Sequence, residues 1–217
     1  ILSMADATAA ELMGKLARQL QTEAPNVSLR VVPLTTRDPR KVLEEGGADL
    51  AIGHFPAVLA DLTARAQAGA AETFLHHRLF VGDYVCVMRK DHPLTVGELT
   101  LDRFCAASHM LVSFSGRAFG FIDESLVSLK RTRRVVLTVN QFFTAGKVVV
   151  QSDLLTVLPR HFVNVTGYAD QLVIRELPFA VPPIQVDALW HQRLDGASPH
   201  AWLRTQVAAL GQTIFSA

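Results

Sequence analysis

Four short polar groups interrupt the apolar runs of this sequence where a strand would hand over to a helix: Asp6 with Thr8, Thr35 with Thr36, Ser115 with Arg117, and Asn140 with Gln141. The first turn of a helix leaves backbone N–H groups unpaired and carries a positive partial charge, so such junctions suit a carboxylate or another anion. Arg117 can add a two-pronged contact to an anion, and Phe119, Phe142 and Phe143 supply apolar walls. Taken singly, each group reads as an ordinary cap or loop residue. Taken together, in two halves of one chain, they describe a crevice for a small ligand. Asp6 opposes an anion unless its carboxylate turns away as a cap. Ser115 beside Gly116 resembles a nucleophile, but no histidine–carboxylate pair is spaced to serve it as a base, and a capping serine is the simpler reading.

Common enzyme signatures are absent: no GxSxG, HExxH, CxxC or P-loop pattern occurs. The 8 histidines are scattered, and the adjacent His76 and His77 would point to opposite faces of a strand, so neither a metal nor a cofactor is expected. With 2 cysteines there is no disulfide framework; Cys86 and Cys105 read as small buried hydrophobes, as suits a reducing cytoplasm. A formal net charge of +1 gives no polyanion-binding surface, and the run Lys130, Arg131, Arg133, Arg134 reads as a solvated helix C-terminus. No apolar run approaches the ~20 residues of a membrane span. The opening ILSMADATAAELMGKL lacks the basic-then-apolar order of an export signal. It begins as if inside a strand, and the expectation is a longer protein around it.

The elements that must position these residues are clearest from Val135 to Pro159. The β-branched VVLTV predicts a strand buried on both faces, Phe142 to Gln151 a helix, and Leu154 to Leu158 a second strand that Pro159 stops. The opening follows the same plan. A strand end at Ile1–Met4 leads to a helix reaching about Glu23 with Leu12, Leu16 and Leu20 on one face, then a strand Val27–Leu34, a short helix through Val42 and Leu43, and a strand Asp49–Gly53. Residues 54–69 are polar, alanine-rich and unassigned. Phe74–Met88 reads as two extended segments that cross between lobes. A helix over Leu99–Ala106, a strand over Met110–Phe114 and a helix over Phe119–Leu129 follow, with later strands at Leu172–Leu177 and Val186–Trp190. A helix from Pro199 to about Phe215 closes the chain; it and the first helix are the candidate dimerisation faces.

TEAPNVSLRVVPL followed by VLEEGGADLAIG resembles the first half of the ligand-sensing domain of LysR-type transcriptional regulators. LFVGDYVCVMRKDHPL resembles that family's lobe crossing and His-Pro-Leu turn, and FFTAGKVVVQSDLLTVLPRHF and LWHQRLDGASPHAWLR resemble its later segments. SMAD, SGRAFGFIDESL and the chain's ending are most similar to the branch that senses aromatic and nitroaromatic compounds. The resemblance implies an α/β fold: two Rossmann-like lobes joined by two crossing strands, like a type 2 periplasmic binding protein. Regulatory lobe I would comprise 1–81 plus 189–217 and lobe II 82–188, with the effector between them. DNA would be held only by an N-terminal winged helix-turn-helix domain outside this chain, in a cytoplasmic homodimer or homotetramer without a cofactor.

The effector positions carried over by the resemblance are Asp6, Ala7, Thr8, Thr36 and Phe55 in the first lobe. In the second they are Ser113, Ser115, Gly116, Arg117 and Phe119, then Asn140, Gln141, Phe142 and Phe143. The aromatic-sensing branch often carries histidine where this chain has Phe119 and Gln141, which removes two donors that Arg117 could replace. The competing readings are a solute-binding protein of a transporter, which predicts an export signal, and an enzyme on the same scaffold, which predicts an acid, base or nucleophile in the crevice.

Overall fold

Leu2–Met4 (β1) is wholly buried, and it takes the next two strands as its parallel neighbours. The computed structural model describes residues 1–215. After β1 come α1 (Asp6–Glu23), β2 (Val31–Pro33), α2 (Arg40–Glu44), β3 (Leu50–Gly53), α3 (Pro56–Gln67) and β4 (Phe74–Gly82). Then follow β5 (Tyr84–Arg89), α4 (Leu101–Ala106), β6 (Ser108–Val112), α5 (Phe121–Ser128), β7 (Arg134–Val139), α6 (Phe142–Val150), β8 (Thr156–Pro159) and β9 (Leu172–Glu176). The chain ends with β10 (Ile184–His191) and α7 (Ser198–Phe215). It divides into two compact units: 1–81 together with the chain from Gln185 onward, and Gly82–Ile184.

The first unit holds a five-stranded sheet in the order β2-β1-β3-β10-β4, in which β10 runs antiparallel to β3. Its parallel βαβαβ opening follows from helices that alternate with short apolar strands. Leu12 and Leu16 of α1 are buried, as are Leu203, Val207 and Leu210 of α7. The two helices pack together, with the Trp202 indole N–H and the Gln206 amide both donating to Glu23 Oε2 at 3.3 and 3.2 Å. Their apolar faces are thus spent inside the unit. The exposed large apolar side chains lie elsewhere, among them Val127, Leu129, Val136 and Leu137.

In the second unit β5 is antiparallel to both β8 and β9, while β6 and β7 pair in parallel. A bridge between His109 and Leu155 stitches the two pieces: Met110 N–H donates to the Leu155 carbonyl at 2.8 Å, and Leu155 N–H to the Ser108 carbonyl at 3.0 Å. The resulting order, β7-β6-β8-β5-β9, repeats that of the first unit. Each has three parallel strands with the earliest in the middle, then one antiparallel strand, then a last one.

The structure corrects several local expectations. VVLTV is not buried on both faces; β7 is an edge strand paired only with β6, so Val136 and Leu137 are 44% and 38% exposed. Residues 54–69 contain α3, which starts with Pro56 at its first position, where the missing N–H is harmless. Val58 is its only buried residue, so no apolar stripe marks it in sequence. The β2 strand covers only Val31–Pro33 of the expected Val27–Leu34. No helix among the described residues is long and apolar enough to cross a membrane.

Candidate functional site

Parallel strands bring their C-terminal ends to one edge of a sheet, and the loops that leave that edge meet there. In the first unit these loops are Ala5 after β1, Leu34–Pro39 after β2, and His54–Phe55 after β3. Ala5, not Asp6 or Thr8, occupies the cap position of α1 and offers no side chain to it. Ala7 and Thr8 are buried in the first turn. Thr36 Oγ1 accepts the Asp38 N–H at 3.1 Å and donates to the Asp38 carbonyl at 3.2 Å, an ST-turn that uses the hydroxyl locally. Asp38 in turn holds Arg40, whose guanidinium keeps that carboxyl below its ordinary range. Phe55 is buried with Leu34, Leu43, Ala51, Val58 and Leu189, so it supports this edge from below.

The second unit gathers the polar and aromatic residues more openly. Between β6 and α5 the chain turns at Gly116, whose φ of +72° suits glycine, with the Gly116 N–H donating to the Ser113 carbonyl at 3.2 Å. Ser115 is not a helix cap: α5 begins six residues beyond it, behind Gly120, whose N–H is taken by Asp123 Oδ2 at 2.8 Å. Ser115 instead accepts a bond from Arg117 Nε at 3.3 Å, and both residues are exposed. Asn140 is exposed, and Gln141 occupies the cap position of α6 without capping it, its Oε1 accepting the Thr144 hydroxyl at 3.2 Å.

An aromatic cluster underlies these two loops. Phe142 is buried and meets Phe114 edge-on at 5.8 Å between centroids and Phe162 at 4.8 Å. Phe143, 56% exposed, lies 6.4 Å from Tyr168, and Phe119 is 51% exposed. The second unit therefore brings Phe114, Phe119, Phe143, Ser115 and Arg117 to the surface at its strand ends, while Ala7, Thr8 and Phe55 of the first unit are packed inside.

Sequence reasoning missed two buried polar groups. Arg133, read as part of a solvated cluster, has a fully buried side chain and forks onto Asp123, Nε to Oδ1 at 2.8 Å and Nη2 to Oδ2 at 3.1 Å. In the first unit Arg78 Nε donates to the wholly buried Asp187 at 2.7 Å, and His54 Nδ1 lies 2.8 Å from the Gln185 carbonyl. A lone acid within the apolar IQVDALW was the available signal. Burial pushes the Cys86 thiol up to about 12, which makes it inert. Cys105 is only half-buried, against the expectation.

His109 is fully buried, donating from Nε2 to the Phe104 carbonyl at 2.7 Å, and burial holds its pKa down at about 4. The fold therefore favours the neutral ring. That contribution is intact above the unfolded value of about 6.5 and is lost as pH falls from there toward 4. Between pH 7 and pH 5 the cost is about 2 kcal/mol. Urea midpoints at the two pH values should show it, and His109→Gln, which keeps a donor for Phe104, should remove most of that difference.

Residues 2–211 match the LysR substrate binding domain family. The chain is 30% identical over 203 residues to the HTH-type transcriptional activator NahR of Pseudomonas putida, covering 94% of this chain and 64% of that protein. It is 29% identical to the HTH-type transcriptional regulator SyrM 1 of Sinorhizobium fredii, covering 96% of this chain and 57% of that protein. The chain thus spans less than two thirds of the length of these relatives, which are named as regulators and not as enzymes. Among solved structures, the regulatory domain of MexT, a transcriptional activator in Pseudomonas aeruginosa, superposes with a TM-score of 0.75 at 25% identity, covering 96% of this chain and 98% of that one. Two Rossmann-like units connected by two strands make the fold periplasmic-binding-protein-like, and the chain belongs to the LysR substrate binding domain family.

Proposed function

We propose that this chain is the effector-sensing part of a LysR-type transcriptional regulator and that its effector is a small aromatic carboxylate. The observation that carries the effector class is the exposed set in the second unit: Phe114, Ser115, Arg117 and Phe119 in the loop that follows β6, and Phe143 in the first turn of α6 after β7, the two strands being parallel neighbours. Rings give stacking area, and the guanidinium gives a fork for a carboxylate. Asn140 and Gln141 add polar groups on the same unit, with Phe142 beneath them, and Asp6, Ala7, Thr8, Thr36 and Phe55 are the corresponding strand-end positions of the first unit. In this reading the effector shifts the population of two arrangements by binding one of them more tightly. DNA is held by a separate domain of the whole cytoplasmic protein, as a homodimer or homotetramer. The regulator names of the relatives favour this over a transporter's solute-binding protein.

Calorimetry with benzoate, butyrate and benzyl alcohol separates the contributions of charge and ring. Benzoate should bind best, and Arg117→Met should weaken it tenfold to a hundredfold, the equivalent of about 1.5–3 kcal/mol for a charged hydrogen bond. Phe143→Ala should weaken benzoate and benzyl alcohol but not butyrate. Benzoate affinity unchanged in both variants would reject the site, and no binding of benzoate by the wild-type chain would reject the effector class.

A further inference from the structure

LWHQRLDGASPHAWLR, the segment from the end of β10 into α7, folds Trp190, Asp195, His200 and Arg204 into one polar cage in the first unit. His200 lies in the first turn of α7 and is buried. Arg204, one turn further on, places Nη1 2.7 Å from His200 Nδ1. A guanidinium stays charged and only donates, so Nδ1 is the acceptor and the proton of the ring sits on Nε2. Nε2 lies 3.0 Å from the Asp49 carbonyl and donates to it. The two contacts together fix the neutral Nε2–H tautomer.

Arg204 also holds the turn that joins β10 to α7. Its Nη1 donates to the Leu194 carbonyl at 3.3 Å, and its Nη2 to the Asp195 carbonyl and to Asp195 Oδ1, both at 3.0 Å. The same Oδ1 accepts the indole N–H of the buried Trp190 at 3.1 Å, and the guanidinium carbon lies 4.6 Å from the centre of that ring. A proton on His200 Nδ1 would set two cationic N–H groups against each other with no acceptor between them. Burial opposes that proton most strongly, and Arg204 and the Ile1 amine oppose it too. The bond to the Asp49 carbonyl and the Asp49 carboxylate favour it, and the sum holds the ring below the ordinary histidine range. The positive end of the helix dipole in the first turn of α7 acts against the proton as well.

We propose that His200 and Arg204 form an acid-sensitive clasp on the turn between β10 and α7. The imidazolium keeps its bond to the Asp49 carbonyl, and strengthens it, so the ring stays in place and the guanidinium is the group that leaves. Withdrawal of Arg204 frees the Leu194 and Asp195 carbonyls and uncovers the bond between Trp190 and Asp195. The clasp is closed above the ordinary histidine value of about 6.5 and opens as the pH falls below it. A solvent proton thereby becomes an input to the first unit that uses no residue of the proposed effector site.

Histidine-ring NMR and hydrogen exchange at the Trp190 indole test the clasp in the 15N-labelled 217-residue chain, from about pH 8 to about pH 4.5, on either side of the ordinary histidine value. His200 should be the Nε2–H tautomer at the upper end. Protection of the Trp190 indole N–H, corrected for the intrinsic pH dependence of exchange, should fall about tenfold as His200 takes up its proton, the scale of one hydrogen bond. Arg204→Met should raise the proton affinity of His200 about tenfold, the scale of a removed like charge, and make the Trp190 protection independent of pH. His200→Asn, whose carbonyl oxygen can accept the Arg204 N–H without titrating, should make it independent of pH too, and decides the matter even where Arg204→Met does not fold. An Nδ1–H tautomer, a ring that stays neutral throughout, or Trp190 protection that holds steady while His200 titrates would overturn the proposal. An acid response that survives His200→Asn would overturn it equally.

Discussion

Arg133→Met should lower the stability of the second unit by about 3–5 kcal/mol, because it leaves a buried carboxylate without its counter-charge. The methionine fills similar volume, so the loss reports the ion pair rather than a cavity. Asp123 is 10% exposed in its side chain, and Arg133 not at all. The pair is not ideal, since Arg133 Nη1 has no acceptor. Replacing both partners with apolar residues, as in Arg133→Met with Asp123→Leu, should therefore cost less than Arg133→Met alone. Urea unfolding measures this, and the two probes needed are already present. Trp190 and Trp202 both lie in the first unit, so their fluorescence follows that unit, while circular dichroism follows both. The variant should split the circular dichroism transition and leave the fluorescence midpoint close to wild type. A loss below about 1 kcal/mol, the value of an exposed pair, would contradict the burial described here. Function should suffer as well, because the same carboxylate pins the Gly120 N–H at the end of the loop that carries Ser115, Arg117 and Phe119.

Gly146→Ala should be the second severe change, although alanine is the better helix former by about 1 kcal/mol. A β-carbon at Gly146 would sit 2.4 Å from Cβ and 3.0 Å from Oγ1 of Thr166. Thr166 has no room to yield: it is fully buried, and its hydroxyl donates to the Val163 carbonyl at 2.6 Å. Overpacking of this kind costs about 1–3 kcal/mol and outweighs the propensity gain. The helix must move away, taking Phe142 and Phe143 with it, so the melting temperature and benzoate affinity should fall together. Gly14→Ala is the control of opposite sign. Nothing lies within 4 Å of a β-carbon there, so the melting temperature should rise. Equal effects from the two substitutions would mean that the contact with Thr166 is not what Gly146 serves.

How far the sequence reveals this depends on which physical signal each feature leaves. The unit from β7 through α6 to β8 is legible because β-branched runs, a polar break and proline each act locally. The edge position of β7 is not, since an apolar run looks the same whether one neighbour covers it or two. Helix α3 hides because alanine and proline make a helix without an apolar stripe. At the candidate site, Arg117, Phe119 and Phe143 stand out in sequence as a guanidinium and two rings near polar breaks, and the structure leaves all three exposed. Ser115 is misread as a cap because a glycine backbone, not a side chain, precedes α5, and the useful pattern was Gly120 with Asp123 three residues on. Arg133 and Asp187 are hidden for the same reason: only their partners, distant or unremarkable in sequence, make their burial tolerable.

The shared strand order has a consequence for synthesis on the ribosome. The second unit is one continuous stretch and can close once Ile184 has emerged, whereas the first, although begun earlier, lacks β10 until the whole second unit has been made. The usual sequence in which the N-terminal part matures first is thereby inverted. Until the late strand arrives, β3 offers an open edge to any other nascent polypeptide, the hazard of every uncovered strand. A chain stalled before residue 184 should be the form that chaperones hold.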